Sequence, residues 1–291
     1  MVLEAPEQLW QSRAVILALV FVFGLVFGSF LNVCIRRLPR HQSLVNPGSH
    51  CPRCLTPIHP WDNIPVLSYV LLRGRCRACH QPISPEYPLV ELAAGLLFLG
   101  CYWQFGVTLS GAKWTLFCSM MLVLIFTDLH ERLLPDRVTY FGLVAGLAFS
   151  PFTPEADRFG HWVLNVWFSV GAATWLTRLT NAVMGAAVAG GLLWLFAEGY
   201  FRLRGREGMG LGDVKMMAMA GAFLGVRQAI LMLLVGSILG SVAGGIAILV
   251  LRKGRDYELP FGTFLGIAGL FLIFAGGPLL HWYLSVSGLA R

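Results

Sequence analysis

Two carboxylates border apolar runs that are too short to cross a membrane, and they are the first candidates for chemistry. Asp128 ends the run 114–127, and Asp213 lies just ahead of the run 216–226. A helix needs about 20 residues to cross the hydrocarbon core of a bilayer, so each run spans only if its carboxylate lies partly within the membrane. Ionisable groups at that depth are costly and are usually functional. The simpler alternatives are a helix N-cap for Asp213 and a solvated helix end for Asp128.

Paired carboxylates in a low-dielectric cleft predict a specific reaction. They cannot both ionise easily, so the pair shares one proton. The ionised member can take a proton from water while the protonated member polarises a peptide carbonyl, as in aspartic proteases. Gly208, Gly210 and Gly212 precede Asp213, and glycines let a substrate backbone approach closely. We therefore predict that Asp128 and Asp213 together hydrolyse a peptide bond.

A third carboxylate, Asp136, competes with Asp128 as the partner of Asp213. Asp136 follows Pro135, a pairing that is typical of the first turn of a helix. Asp128 ends the shorter apolar run and is therefore preferred. Lys215 lies two positions from Asp213, on a different part of the helix surface. We expect Lys215 to reach toward lipid headgroups or to balance charge in the loop, and not to act as a base.

Four cysteines form the second candidate site. Cys51 and Cys54 form one C-x2-C pair, Cys76 and Cys79 form another, and 21 residues separate the pairs. This pattern is typical of a structural zinc site with four thiolate ligands. Four thiolates fill the coordination shell of the metal and leave no position for substrate, so a catalytic metal is not expected. Two disulfides are the competing interpretation, which a cytoplasmic location disfavours because thiols stay reduced there.

The remaining sequence must hold these residues in a membrane. Hydrophobic residues make up 56% of the 291 residues and charged residues only 13%, against about 25% charged in soluble proteins. We predict an all-α polytopic membrane protein with about eight transmembrane helices and a small cytoplasmic zinc-binding domain between helices 1 and 2. The eight runs are 14–35, 92–112, 114–127, 138–153, 179–197, 216–226, 228–251 and 261–280.

Three parts follow from this pattern. Residues 1–35 are expected to form a periplasmic N-terminus and transmembrane helix 1. Residues 36–88 form the cytoplasmic four-cysteine zinc domain, and residues 89–291 form a seven-helix membrane peptidase domain. The Trp-bearing segment 161–177 is left as either an interfacial helix or part of a re-entrant hairpin.

The distribution of basic residues predicts the orientation. With the N-terminus outside, the inner segments 36–88, 128–137, 198–215 and 252–260 hold 16 of the 22 Lys and Arg residues. Such an excess marks cytoplasmic loops. The cysteines and both aspartates then face the cytoplasm. The net charge of +7 is explained by this bias, and no nucleic-acid partner is expected. The six outer basic residues are Arg13, Lys113, Arg158, Arg178, Arg227 and Arg291.

Six stretches, in order, resemble the bacterial type IV prepilin peptidases. They are FGSFLNVCIRRLP, the two C-x2-C pairs, IPVLSYVLLRGRCRACHQPISPEYPLVE, TDLHERLLPD, GMGLGDVK and LPFGTFLGIAG, and they extend over about residues 21–270. The resemblance implies a bacterial inner-membrane aspartic endopeptidase. Its substrates are type IV prepilins and type II secretion pseudopilins, which lose a basic leader after a glycine on the cytoplasmic side. The catalytic pair corresponds to Asp128 and Asp213, and the tetracysteine pattern to Cys51, Cys54, Cys76 and Cys79.

The resemblance also implies methylation of the new N-terminus with S-adenosylmethionine. No glycine-rich dinucleotide fingerprint follows a strand, so the position of the cofactor site is left open. Glu86 and Glu91 are candidates for holding an ammonium group, although a solvated acid and a helix-start acid are the favoured interpretations. Three rivals are a peptidase without methylation, a non-enzymatic assembly factor, and a proton-coupled transporter with a zinc domain. The transporter would need polar residues to continue across the membrane.

Overall fold

The described part of the chain is almost entirely helical. The computed structural model describes residues 6–154, 162, 174–205, 209–250 and 259–286. The helices are α1 (Pro6–Arg37), α2 (Leu67–Leu71), α3 (Glu86–Phe105), α4 (Leu109–Glu131), α5 (Asp136–Phe149), α6 (Thr174–Arg204), α7 (Leu211–Leu249) and α8 (Phe261–Val286), with 3-10 turns at Pro60–Asn63 and Ser150–Phe152. Within these ranges β-pairing is limited to two isolated bridges. The prediction of an all-α protein is confirmed.

Six helices in the described ranges are long and apolar enough to cross a membrane, fewer than the predicted eight. They are Arg13–Arg37, Glu86–Phe105, Leu109–Glu131, Thr174–Arg204, Leu211–Leu249 and Phe261–Leu279. The runs 216–226 and 228–251 both lie within the range of α7, but the non-helical backbone of Gly225 (φ 77°, ψ −179°) divides this range into two helices, as the two runs predict. The run 138–153 forms the 14-residue α5, which is shorter than a span. Of the segment 161–177, positions 161 and 163–173 lie outside the described residues.

The chain divides into two compact units, Met1–Gly111 and Ala112–Arg291. In the first unit, α1 and α3 pack antiparallel, since Gly24 faces Gly95 and Gly28 faces Glu91. A methyl group at Gly28 would lie 2.6 Å from the Cα of Glu91. Glycine is therefore what lets these two helices approach so closely.

In the second unit, α4 packs into the helix bundle and contributes many of its most buried side chains. Fully buried residues on α4 and α7 include Phe117, Met121, Leu124, Met216, Met217, Phe223 and Leu224. The rings of Phe117 and Phe223 lie 5.1 Å apart. α7 also packs against α6, where Gly185 of α6 lies against the backbone of Gly221 of α7. Because α7 packs against α5, α6 and α8, its N-terminal turn is held in a fixed place, and that turn carries Asp213.

Candidate functional site

The two predicted aspartates lie at helix ends in the second unit. Asp128 is in the last turn of α4 and is 6% exposed. Asp213 is in the first turn of α7 and is 9% exposed. The N-cap of α7 is Gly210, which accepts the backbone N–H of Asp213 at 3.1 Å. Asp213 is therefore not the N-cap of α7. The simpler alternative given for it in the sequence analysis, a helix N-cap, is wrong.

The start of α8 brings the two carboxylates together. A methyl group placed on Gly262 would lie 3.1 Å from Oδ2 of Asp128 and 3.1 Å from Oδ1 of Asp213. The two carboxylate oxygens therefore lie within about 6.2 Å of each other, and both border the position that a side chain at residue 262 would take. The structure thus brings together the two residues that the sequence analysis paired.

The two carboxylates have different surroundings. Oδ2 of Asp128 accepts the backbone N–H of Thr263 at 2.6 Å and its hydroxyl at 3.0 Å. Oδ1 of Asp213 is buried and has no hydrogen-bond partner among the described residues. Donors stabilise an ionised carboxylate, and burial without donors disfavours one. The geometry therefore makes Asp128 the better site for the negative charge and Asp213 the better site for a shared proton.

Asp136 lies outside this pair. It begins α5, as the Pro135–Asp136 sequence predicts. Its oxygens accept hydrogen bonds from the Lys215 ammonium at 2.7 and 2.9 Å, and its side chain is exposed to solvent. Lys215 therefore links the first turns of α5 and α7 near the surface, which agrees with the second role expected for it, the balance of charge in the loop.

The four cysteines converge in the first unit. Their sulfur atoms all lie within 4.8 Å of one another, with Cys51 and Cys79 at 3.9 Å and Cys54 and Cys76 at 4.0 Å. These separations exceed a disulfide bond, and all four thiols are free. Thiolates at about 2.3 Å from a tetrahedral metal stand about 3.8 Å apart. The cluster can therefore hold a metal ion.

The two cysteine pairs have the same local backbone. In the first, Cys51 donates its N–H to Thr56 and accepts that of Leu55; in the second, Cys76 donates to Gln81 and accepts from His80. An isolated bridge closes each turn, and Leu55 and His80 both have positive φ. Two equivalent turns thus present their thiols to one point, which is the arrangement that a four-thiolate site requires.

The environment of one thiol also suits a metal ligand. The Thr56 hydroxyl lies 3.3 Å from Sγ of Cys54. Hydrogen bonds from this hydroxyl and from the Thr56 backbone lower the pKa of Cys54 to about 6. The thiolate, which is the form that binds metals, is therefore accessible at neutral pH.

The two glutamates considered for an ammonium group have structural contacts in the first unit. Glu86, which begins α3, lies 3.4 Å from Arg36. Glu91 is buried and accepts the backbone N–H of Val66 at 2.8 Å. Because Val66 has a positive φ of 61°, this hydrogen bond fixes an unusual turn at the start of α2. Glu91 is thus a loop anchor and not the helix-start acid that was favoured.

The fold and the two candidate sites define a class: a helical membrane protein with a buried pair of carboxylates and a cluster of four thiols. Residues 22–105 match the family model of the bacterial Peptidase A24 N-terminal domain, and residues 115–245 match that of the Type IV leader peptidase family. The chain belongs to the type IV leader peptidase family. The six span-length helices, together with this membership, make it a multi-pass membrane protein.

Curated relatives align over almost the whole chain, and each is named prepilin leader peptidase/N-methyltransferase. The relative from Aeromonas hydrophila is 35% identical, over 92% of this chain and 93% of its own. That from Burkholderia pseudomallei (strain 1026b) is 35% identical over 94% and 88%, and that from Legionella pneumophila 34% over 91% and 93%. No solved structure matches the chain.

Sequence reasoning missed two residues of the site. Thr263 and Gly262 were quoted only inside the stretch LPFGTFLGIAG, without a role. A threonine and a glycine at a helix start are common, so neither residue type indicates an acid pair. The available signal was their position two and three residues after Pro260, where a helix can begin with free backbone N–H groups.

Proposed function

We propose that this chain is a membrane aspartic endopeptidase and N-methyltransferase. It removes the basic leader of type IV prepilins and type II secretion pseudopilins after a glycine, and then methylates the new N-terminus with S-adenosylmethionine. The observation that carries the peptidase is the convergence of Asp128 and Asp213 on Gly262. The shared name of the relatives supports both activities.

In the proposed mechanism the two aspartates hold one proton between them. Asp128, which accepts two hydrogen bonds from Thr263, is the ionised member and removes a proton from the attacking water. Asp213 donates its proton to the carbonyl oxygen as the water oxygen bonds to the carbonyl carbon. The resulting diol then breaks its C–N bond, with the proton held by Asp128 passing to the leaving amine and one diol proton returning to Asp213. The pair is thereby restored to its starting state.

Membrane position explains the choice of bond. The apolar helix of a prepilin would lie in the bilayer beside the enzyme, with its leader at the inner surface. Helical carbonyls are already hydrogen bonded, and a glycine just before the cut lets the leader leave helical geometry. The excess of basic residues in the segments that flank the aspartates supports a cytoplasmic active site in the bacterial inner membrane.

Gly262→Ala is expected to reduce cleavage at least about 100-fold without unfolding the protein. The added methyl group would lie 3.1 Å from both carboxylate oxygens and take the space of the attacking water, and small displacements there are costly. Cleavage of a purified prepilin and the thermal unfolding temperature are the two measurements. Gly277→Ala is the matched control, because nothing lies within 4 Å of that position on the same helix. Equal rates in the two variants would contradict the proposed water position.

Thr263→Val is expected to lower kcat about tenfold. The change removes the hydroxyl that donates to Asp128 and leaves the backbone N–H, and a hydrogen bond to a charged group contributes about 1.5–3 kcal/mol. Thr263→Ser keeps the hydroxyl and should retain most of the rate. Steady-state kinetics with a prepilin substrate separate kcat from KM. If the serine variant were as slow as the valine variant, packing and not hydrogen bonding would explain the loss.

The metal of the cysteine cluster is proposed to be zinc. Four thiolates at tetrahedral spacing are the donor set that structural zinc prefers, and they leave no open position for substrate. Cys51, Cys54, Cys76 and Cys79 would hold it and fix the two turns that carry them. Its proposed role is to stabilise a segment with few large apolar residues.

Mass spectrometry of one reaction tests both proposed activities. The purified chain is incubated with a prepilin in detergent, with and without S-adenosylmethionine. Loss of the leader in both samples and addition of one methyl group only in the second is the expected result. Cleavage without methylation in both samples would reduce the function to that of a peptidase, and intact substrate in both would contradict the proposal.

A further inference from the structure

A buried ammonium group lies far from the aspartates in the second unit. Lys113 is in the second turn of α4 and is 4% exposed. It stands 15 residues before Asp128 on the same helix, which places it about 22 Å away along the axis. Its Nζ lies 4.7 Å from the ring of Trp114 and 6.0 Å from that of Phe223. Within the described ranges it donates no hydrogen bond and has no acidic neighbour.

Lys113 lines a half-open pocket that contains a second cation. The pocket is half open to the outside, and its free space of about 10 Å³ is close to that of one water molecule. Arg178 lines it as well, together with the hydroxyls of Ser150 and Thr153. Among the described residues no acidic side chain lines the pocket.

Lys113 and Arg178 both carry a positive charge that no acidic side chain of the described residues balances in the pocket. Desolvating an ammonium group is costly unless an opposite charge or strong acceptors replace its water, and aromatic rings recover only part of that cost. Arg178 donates to the carbonyl of Pro151 at 3.3 Å, which positions its guanidinium at the pocket. The hydroxyls of Ser150 and Thr153 donate to the carbonyls of Leu147 and Phe149, so the two cations are the groups that remain to bind a ligand, and an anion is the ligand that would compensate their charge.

We propose that this pocket binds the phosphate group of an anionic phospholipid, with one phosphate oxygen entering toward Lys113. The pocket lies where α4 and α6 begin and α5 ends. Helix ends of a membrane protein stand at the depth of lipid headgroups, and basic side chains at that depth attract anionic headgroups. The shared chemistry is a phosphate oxygen, which free inorganic phosphate also supplies.

The test uses the delipidated full chain in maltoside micelles. Phosphatidylglycerol, uncharged diacylglycerol and inorganic phosphate are added separately, and bound lipid is counted by native mass spectrometry alongside the unfolding temperature. Phosphatidylglycerol is expected to bind and raise the unfolding temperature, and diacylglycerol is not. Lys113→Met should weaken phosphatidylglycerol binding roughly tenfold or more. Arg202→Met, at the other end of α6, is the matched control and should keep the wild-type affinity.

The lysine variant also reports on folding. In lipid-free micelles Lys113→Met should unfold at the same or a higher temperature than the wild type, because it removes an uncompensated buried charge. Stabilisation by inorganic phosphate alone would support the anion site and assign it to free phosphate. Equal phosphatidylglycerol affinity in Lys113→Met and wild type would overturn the proposal. So would a lower lipid-free unfolding temperature in a Glu155→Gln, Asp157→Asn variant, since an acid of this chain would then be the partner.

Discussion

Replacing either Asp128 or Asp213 by Asn is expected to reduce leader removal at least about 10³-fold. Each change is nearly isosteric, so the fold and the contacts around Gly262 should remain. Asn at 128 cannot accept a proton from water, and Asn at 213 cannot supply one to the carbonyl oxygen, so each change disables general acid–base catalysis. The measurement is the rate of leader loss from a purified prepilin, followed by mass spectrometry over long incubations.

Two controls make this result specific. Asp136→Asn should keep cleavage within about tenfold of wild type, because that carboxylate is bonded to Lys215 at the surface and exposed ion pairs contribute little. The Asn variants should also still methylate a prepilin that was cleaved beforehand. An inactive Asp136→Asn beside an active Asp128→Asn would show that the wrong carboxylate was assigned to the pair.

Cys51→Ser or Cys76→Ser is expected to remove the bound metal and unfold the cysteine segment. Each of these residues provides one of four thiols within 4.8 Å, and loss of one ligand opens the coordination shell. Structural zinc contributes about 10–16 kcal/mol to the folding of small metal domains, and the segment has few buried apolar side chains to compensate. Metal content per chain, measured by elemental mass spectrometry, should fall from about one to near zero.

Limited trypsin digestion reports the unfolding directly. Arg53, Arg75 and Arg77 lie within or next to the two cysteine turns and should be cut rapidly in the Cys51→Ser variant. Cys34→Ala is the matched control, because its thiol is buried in α1 away from the cluster. It should keep both the metal and the resistance to trypsin. Full metal content in Cys51→Ser and Cys76→Ser would rule out the four-thiolate site.

The candidate residues were predictable from sequence because their signals are local. The two C-x2-C pairs mark a metal site by spacing alone, and the carboxylates stand out where apolar runs are too short. The sequence does not show, however, which carboxylates lie close together in the fold. Asp128 and Asp213 are 85 positions apart, and only the packing of α4, α7 and α8 brings them to Gly262. The role of Thr263 depends on the same packing and therefore had no local signal.

The position of Lys113 was harder to predict than the break within α7. The sequence divides the runs 216–226 and 228–251 at Arg227, and the structure has two helices that meet at Gly225, where the backbone is not helical. Lys113 was counted with the outer basic residues because it separates two apolar runs. The structure buries it within α4. A single charge can end a span or lie inside one, and the difference depends on which neighbouring helices cover it.

The central claim is that Asp128 and Asp213 act as one unit on one water molecule. Its most direct test is the single-turnover cleavage rate of Asp128→Asn, Asp213→Asn and the variant that carries both changes. If the pair is a unit, losing either member disables it, and the three rates should agree within a few-fold. A double variant slower by the product of the two single losses would mean that the residues act independently, and the account would be wrong.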